Sequence, residues 1–187
     1  MTNLNGQPSV TVPPLPELED VAVDPKTTAL LVLDMLKQVC NLERRPSCVA
    51  SIPKVNTLLK QARANRMLVV YSLIRIGQVT DIVDELAPLG GEPVVSSGPD
   101  KFIGTELESI LKGKNIEQVI VTGTAAHGAA LHTAAGAAFR GFKVIVPVDG
   151  ISAEPFPEYY TVWHLANAPR LSNQVTISRS DKIRFVG

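Results

Sequence analysis

The sequence predicts an α/β fold in which a parallel sheet is covered by helices on both faces. Short apolar runs recur along the chain, segments with helical spacing separate them, and the runs lack the polar alternation of a half-exposed sheet. With 187 residues, 45% of them hydrophobic and 19% charged, the chain suits one domain with a substantial core and is not of disordered composition.

The elements follow in order. Pro13, Pro14 and Pro16 discourage helix and central strand, so residues 1–25 read as a Pro-rich arm and residues 26–187 as one domain. Thr28–Asp34 is a strand buried on both faces. Ser51-Ile-Pro53 opens a helix with proline near its first position, and Val55, Leu58, Leu59 and Ala62 share one face. Met67–Tyr71 is the next strand. A long connection, Ser72–Gly104, holds a short helix at Asp81–Leu86 and a turn at Gly90-Gly91. Thr105–Glu108 has the capping-box pattern and starts a helix. Gln118–Thr122 is a strand and Ala125–Phe139 an Ala-rich helix that can pack closely on a sheet. Lys143–Val148 is a strand, Glu158–Ala168 a helix ended by Pro169, and Val175–Ser178 a last strand. No repeat and no second domain is apparent.

Composition narrows the function. Lys+Arg and Asp+Glu both number 18, so the chain lacks the field that draws proteins to nucleic acid or to an anionic membrane. No window is apolar enough to span a bilayer, and Met1–Asp20 is polar and unlike a signal peptide. The expectation is a cytoplasmic protein with Cys40 and Cys48 reduced. The two cysteines and three histidines have no ligand-like spacing, so neither metal nor other cofactor is expected.

In such sheets ligands bind beyond the carboxyl ends of the strands, near the point where the strand order reverses. Asp34, Ser72–Arg75, Gly123–Gly128 and Asp149-Gly150 fall there. Gly123-Thr-Ala-Ala-His-Gly128 turns a strand into a helix, so free N–H groups face the strand tips and small side chains admit a ligand oxygen. It is also readable as a plain tight turn. It is neither a dinucleotide fingerprint nor a phosphate loop. Asp34 reads as a general acid or base, or as a loop cap. Lys101 reads as a partner for Asp34 or a substrate carboxylate, or as a solvated charge. Arg75 clamps an anionic substrate or lies exposed. His127 donates to a substrate oxygen or closes a helix end. Tyr159, Tyr160, Trp163 and His164 are core or interface, with pocket wall as the lesser alternative. Cys40 reads as packing rather than nucleophile.

Leu31–Met35, Lys101–Leu107, Val121–His127 and Gly141–Asp149 resemble the isochorismatase-like, or cysteine hydrolase, family in order and spacing, over Thr27–Ser178. The resemblance implies a three-layer α/β/α sandwich around a mostly parallel six-stranded sheet, a homo-oligomer (dimer or tetramer), and a non-proline cis peptide at Thr124–Ala125. It also implies small-amide hydrolysis by an Asp–Lys–Cys triad, or cleavage of the vinyl ether of isochorismate. Asp34 matches the Asp. The Cys position falls on Ala129. Counting back without gaps puts Ser96 at the Lys position, with Lys101 nearby. The metal-binding cluster of the nicotinamidases is absent after Asp34. The Ala126-His127 pair resembles that of true isochorismatases, which favours an acid-catalysed, thiol-free route. Thr124, Ala125, His127 and Gly128 would then line the substrate site, with N–H groups of Ala125 and Ala129 holding its oxygen. The alternative is a catalytically silent member that binds a metabolite or serves as a subunit.

Overall fold

In the computed structural model, which describes residues 11–187, the strands of the central sheet all run parallel. Of the expected arm, residues 1–10 lie outside the described residues. Residues 11–20 have no regular structure, and Val21–Val23 forms strand β1. The central sheet contains β2 (Thr28–Leu33), β3 (Leu68–Ile74), β4 (Val94–Ser97), β5 (Gln118–Thr124) and β6 (Lys143–Pro147). The two-residue β7 (Ile151–Ser152) pairs with the tip of β5, and β8 (Val175–Ser178) forms one edge. β9 (Ile183–Phe185) pairs with β1 in a separate two-stranded sheet. The strand order of the six-stranded path is β4-β3-β2-β5-β6-β8.

Helices cover both faces, giving the α/β sandwich the sequence predicts. Along β2 every residue is buried, and alternate side chains enter different layers. Leu30 and Val32 pack with Val55, Leu58 and Leu59 of α1 (Pro46–Ala64). Leu31 and Leu33 pack with residues of α2 (Leu107–Gly113), α3 (Leu131–Phe139) and α4 (Pro155–Asn167) on the other face.

Several element expectations are corrected. The first long helix starts at Pro46, not at Ser51. Pro46 takes the N-terminal position, where its missing N–H costs nothing, and Pro53 lies inside the helix. The short helix at 81–86 is two separate 3-10 turns, Val79–Asp81 and Asp84–Leu86. The helix expected from Ala125 begins with a wide π-type turn, Ala126–Ala130, broken by the non-helical backbone of Gly128. Thr105 forms no capping box. Its hydroxyl accepts from the Leu107 N–H at 3.2 Å and donates back to the Lys101 carbonyl.

The two cysteines are not free thiols. Cys40 and Cys48 form a disulfide with 5.0 Å between their Cα atoms. The chain after Asp34 coils back on itself: the Cys40 N–H donates to Leu36 O, Arg45 to Asn41 O and Cys48 to Arg45 O. Those turns bring the start of α1 beside Cys40, a proximity that the sequence spacing alone does not reveal.

Candidate active site

The strand order reverses at β2. The chain moves from β2 to β3 and β4 on one side, then returns to place β5 on the other. The crevice of this sheet therefore lies between the tips of β2 and β5. Their register pairs Leu33 with Gly123, so Asp34 and Thr124 leave the sheet side by side. The approach is close because Gly123 has φ +122°, and a Cβ there would lie 2.0 Å from the Leu33 carbonyl oxygen. Glycine is required on both counts.

Asp34 leaves the strand with φ +52° and is only 7% exposed. Its Oδ1 accepts from the Ser72 hydroxyl at 2.7 Å. Its Oδ2 pairs at 2.7 Å with Nζ of Lys101, a residue with no exposed surface. That ammonium also donates to the carbonyls of Leu73 (3.2 Å) and Ser97 (3.3 Å), so its three donors have three acceptors. The buried charge is thereby both paired and hydrogen-bonded, as a charge at this depth must be.

Lys101, not Ser96, faces Asp34. β4 is an edge strand in which Ser96 pairs with Leu73. The Ser96 side chain is exposed, and its hydroxyl donates to Ile74 O at 3.1 Å. Beyond β4 the chain folds back before α2, and its own polar groups fix that turn. Ser97 Oγ donates to Ile103 O at 2.6 Å, and the Phe102 N–H donates to Asp100 Oδ1 at 2.9 Å. On α3, Thr133 Oγ1 donates to Pro99 O and accepts from the Lys101 N–H, both at 3.2 Å. The Arg140 guanidinium stacks over the Phe102 ring 4.6 Å from its centroid. A gapless count cannot see this fold-back.

Opposite Asp34, β5 runs into a cis peptide at Thr124–Ala125 and then into the π-type turn. The Ala125 carbonyl accepts from the N–H groups of Gly128 (2.9 Å) and Ala130 (3.3 Å). His127 is exposed, Gly128 is half-buried, and Ala129 is buried with its methyl group in the core. The Glu154 carboxyl sits below the usual carboxylate range. Its own backbone N–H is the largest cause, and the nearby charges of Arg45 and His127 contribute.

Arg75 is exposed beyond the tip of β3. Tyr159, Tyr160 and Trp163 line a cleft of about 370 Å³ with Val12, Pro13 and Phe156. Neither that cleft nor one of about 570 Å³ between Leu15–Leu18 and α4 includes Asp34 or Lys101. Two participants were missed as individual site residues. Ser72 stood only within a strand-tip segment, and its sole signal was that place. Arg45, whose Nη1 donates to Thr124 Oγ1 at 2.8 Å, gave no signal, because nothing in its neighbourhood of sequence ties it to Thr124.

Against known proteins, residues 28–177 match the model of the isochorismatase domain. The chain belongs to the isochorismatase family. This isochorismatase-family chain is 32% identical over 119 residues to the secreted isochorismatase effector Isc1 of Verticillium dahliae, covering 58% of the chain and 63% of that protein. It is 39% identical over 71 residues to an N-carbamoylsarcosine amidase of an Arthrobacter species, covering 37% of the chain and 27% of that protein. The match thus spans less than two thirds of either relative. Among solved structures, an isochorismatase family protein from Desulfovibrio vulgaris superposes with a TM-score of 0.74 at 20% identity, covering 83% of the chain and 95% of that structure. The N-carbamoylsarcosine amidase of Thermoplasma acidophilum superposes with a TM-score of 0.71 at 24% identity, covering 83% and 97%. These two likenesses concern the fold.

Proposed function

We propose that this member of the isochorismatase family is a hydrolase of small, anionic metabolites that works without a thiol nucleophile, with Asp34 as general acid and base. The observation that carries the reading is the buried Asp34–Lys101 pair at the switch point, 2.7 Å apart. Ligands of a parallel sheet bind at that crevice, and buried, charge-paired groups in a cleft are candidates for acid–base work. The thiol-free part rests on two facts. Residue 129, which the family resemblance gives to the nucleophile, is alanine, and the two cysteines of the chain are bonded to each other. Without a thiolate no thioester forms, so water must attack directly.

In this mechanism Asp34 passes a proton to the terminal carbon of an enol ether. Water adds to the resulting oxocarbenium carbon and returns a proton to Asp34. The hemiketal then collapses to a ketone and an alcohol. On an amide, the Asp34 carboxylate instead takes a proton from the attacking water and hands it to the leaving nitrogen. Lys101 holds the carboxylate in place through either cycle. The N–H groups of Ala125 and Ala129, with His127, hold the substrate oxygen, and Thr124 and Gly128 shape that side of the site. Ser96 has no part in this reading, and Arg75 serves only a substrate that reaches out to it.

A second reading, a catalytically silent metabolite binder, draws on the burial of the pair, since Lys101 has no exposed surface. Turnover separates the two. The panel follows ketoacid release from isochorismate and ammonia release from small amides, ureides and N-carbamoyl amino acids. The expected result is turnover of at least one class that falls about 10²–10⁴-fold in Asp34→Asn. Turnover that survives Asp34→Asn sinks the mechanism, and none across the panel favours the binder.

A further inference from the structure

We infer that Arg45 is a positioning residue for the Ala125–Ala130 turn and that the Cys40–Cys48 disulfide keeps it there, so that reducing the disulfide loosens the turn. The inference builds on the hydrolase reading only for its effect on turnover. Its structural part stands on the contacts alone.

The segment from Asp34 to α1 is a strap joining the two sides of the crevice. It leaves the β2 tip at Asp34, coils through Leu36 and Cys40, and enters α1 at Pro46. The disulfide closes it across a separation of eight residues. Arg45 stands inside that closed loop, and its side chain is 16% exposed. Its Nη1 donates to Thr124 Oγ1 at 2.8 Å, and that hydroxyl donates on to Ser152 O at 3.0 Å. Its Nη2 lies 3.6 Å from Glu154 Oε1. Two residues on, Ser47 Oγ donates to Ala153 O at 2.6 Å.

One short strap therefore grips the tip of β5 and the 152–154 segment beside it. Arg45 gives no side-chain cap to its own helix, so its hydrogen bonding is directed at the site side. Thr124 immediately precedes Ala125, whose carbonyl anchors the N–H groups of Gly128 and Ala130. An arginine has many rotamers, and holding one of them is easier when the backbone that carries it is confined. When a dithiol reductant transfers two electrons and two protons to the disulfide, it becomes a disulfide itself and leaves two thiols. The 40–48 loop then gains freedom, and Arg45 loses its enforced position.

The test is amide hydrogen exchange at Gly128 and Ala130, with Val121 in β5 as the internal reference. It compares the oxidised protein, the protein reduced by dithiothreitol, the Cys40→Ser/Cys48→Ser double variant, Arg45→Gln and Arg45→Lys. The expected result is exchange about tenfold faster at Gly128 and Ala130 in the reduced protein, the double variant and Arg45→Gln. Val121 stays within about twofold, and Arg45→Lys lies between. With a substrate from the turnover panel, kcat falls in the same order while KM moves little. Unchanged exchange at Gly128 and Ala130 in Arg45→Gln overturns the inference, as does equal acceleration at Val121, which would mark general destabilisation. Two alkylatable thiols in the untreated, denatured protein would overturn the disulfide part. If Asp34→Asn leaves turnover intact, the hydrolase reading fails while the exchange data still decide the role of Arg45.

Discussion

Lys101 shows how much one side chain can depend on its surroundings. Its ammonium has three acceptors and no exposed surface, and one acceptor, Asp34, is its only charged partner among the described residues. Removing one member of such a pair leaves the other charged and buried. Lys101→Met should therefore destabilise the fold by about 3 kcal/mol. For a domain of this size that is a drop in Tm of roughly 6–12 °C. Asp34→Asn also leaves a buried charge without its counter-ion, but should cost less than Lys101→Met, because the amide oxygen can still accept from Lys101. Thermal unfolding of the two variants checks the order, and equal losses would contradict it. Pairing with Asp34 was one of the readings the sequence left open for this residue, and the sequence alone could not choose it. Whether Lys101 meets Asp34 depends on the hydrogen bond that Ser97 donates and on those that Asp100 and Thr133 accept, which pattern reading does not rank.

Between elements, a tie of four hydrogen bonds outside the site is made by the last turn of α1. Arg63 grips Glu92 with two bonds (2.9 and 2.8 Å) and reaches the Tyr71 hydroxyl at 3.0 Å and Ala87 O at 2.9 Å. This bolts α1 to β3 and to the chain that leads into β4. Burial pushes the Tyr71 phenol above its usual 10.0, the charge of Glu92 adds to the rise, and Arg63 opposes it. A folded-state value above the unfolded one contributes stability that is whole below pH 10 and is lost as pH climbs past it. Chemical denaturation should thus show a decline above that pH that is shallower in Tyr71→Phe, and identical slopes would contradict the assignment. The long strands and helices were legible because strands buried on both faces read as unbroken apolar runs. Short pieces fared worse: β8 was read with its observed bounds, but β1, β4, β7 and β9 were not, being too short to show a period of their own. The start of α1 was misplaced because Pro46 and Pro53 both qualify as helix openers, and only the packing of Cys48 and Ser51 in the interior chooses between them.

At the scale of the whole molecule, the switch point was within reach of sequence reading because alternating strands and helices allow few topologies, whereas the family was reached through the resemblance of four segments and not through topology. Asp34 and the 123–128 turn were singled out on that basis. Arg45 and the disulfide were not, since both depend on how a loop coils in three dimensions. The order β4-β3-β2-β5-β6-β8 has one further effect. β2 is made early, yet one of its two neighbours in the sheet comes far later: Thr28 and Gln118, joined across β2 and β5, are 90 residues apart. At a synthesis rate of about 5–20 residues per second, that edge of a strand buried along its whole length in the folded protein waits roughly 5–20 s for its partner. A ribosome-bound chain halted shortly before Gln118 should therefore be cut readily by protease between β2 and β4, and one released after Ser178 should resist. The nascent protein would depend during that interval on whatever shields unpaired strands at the exit tunnel.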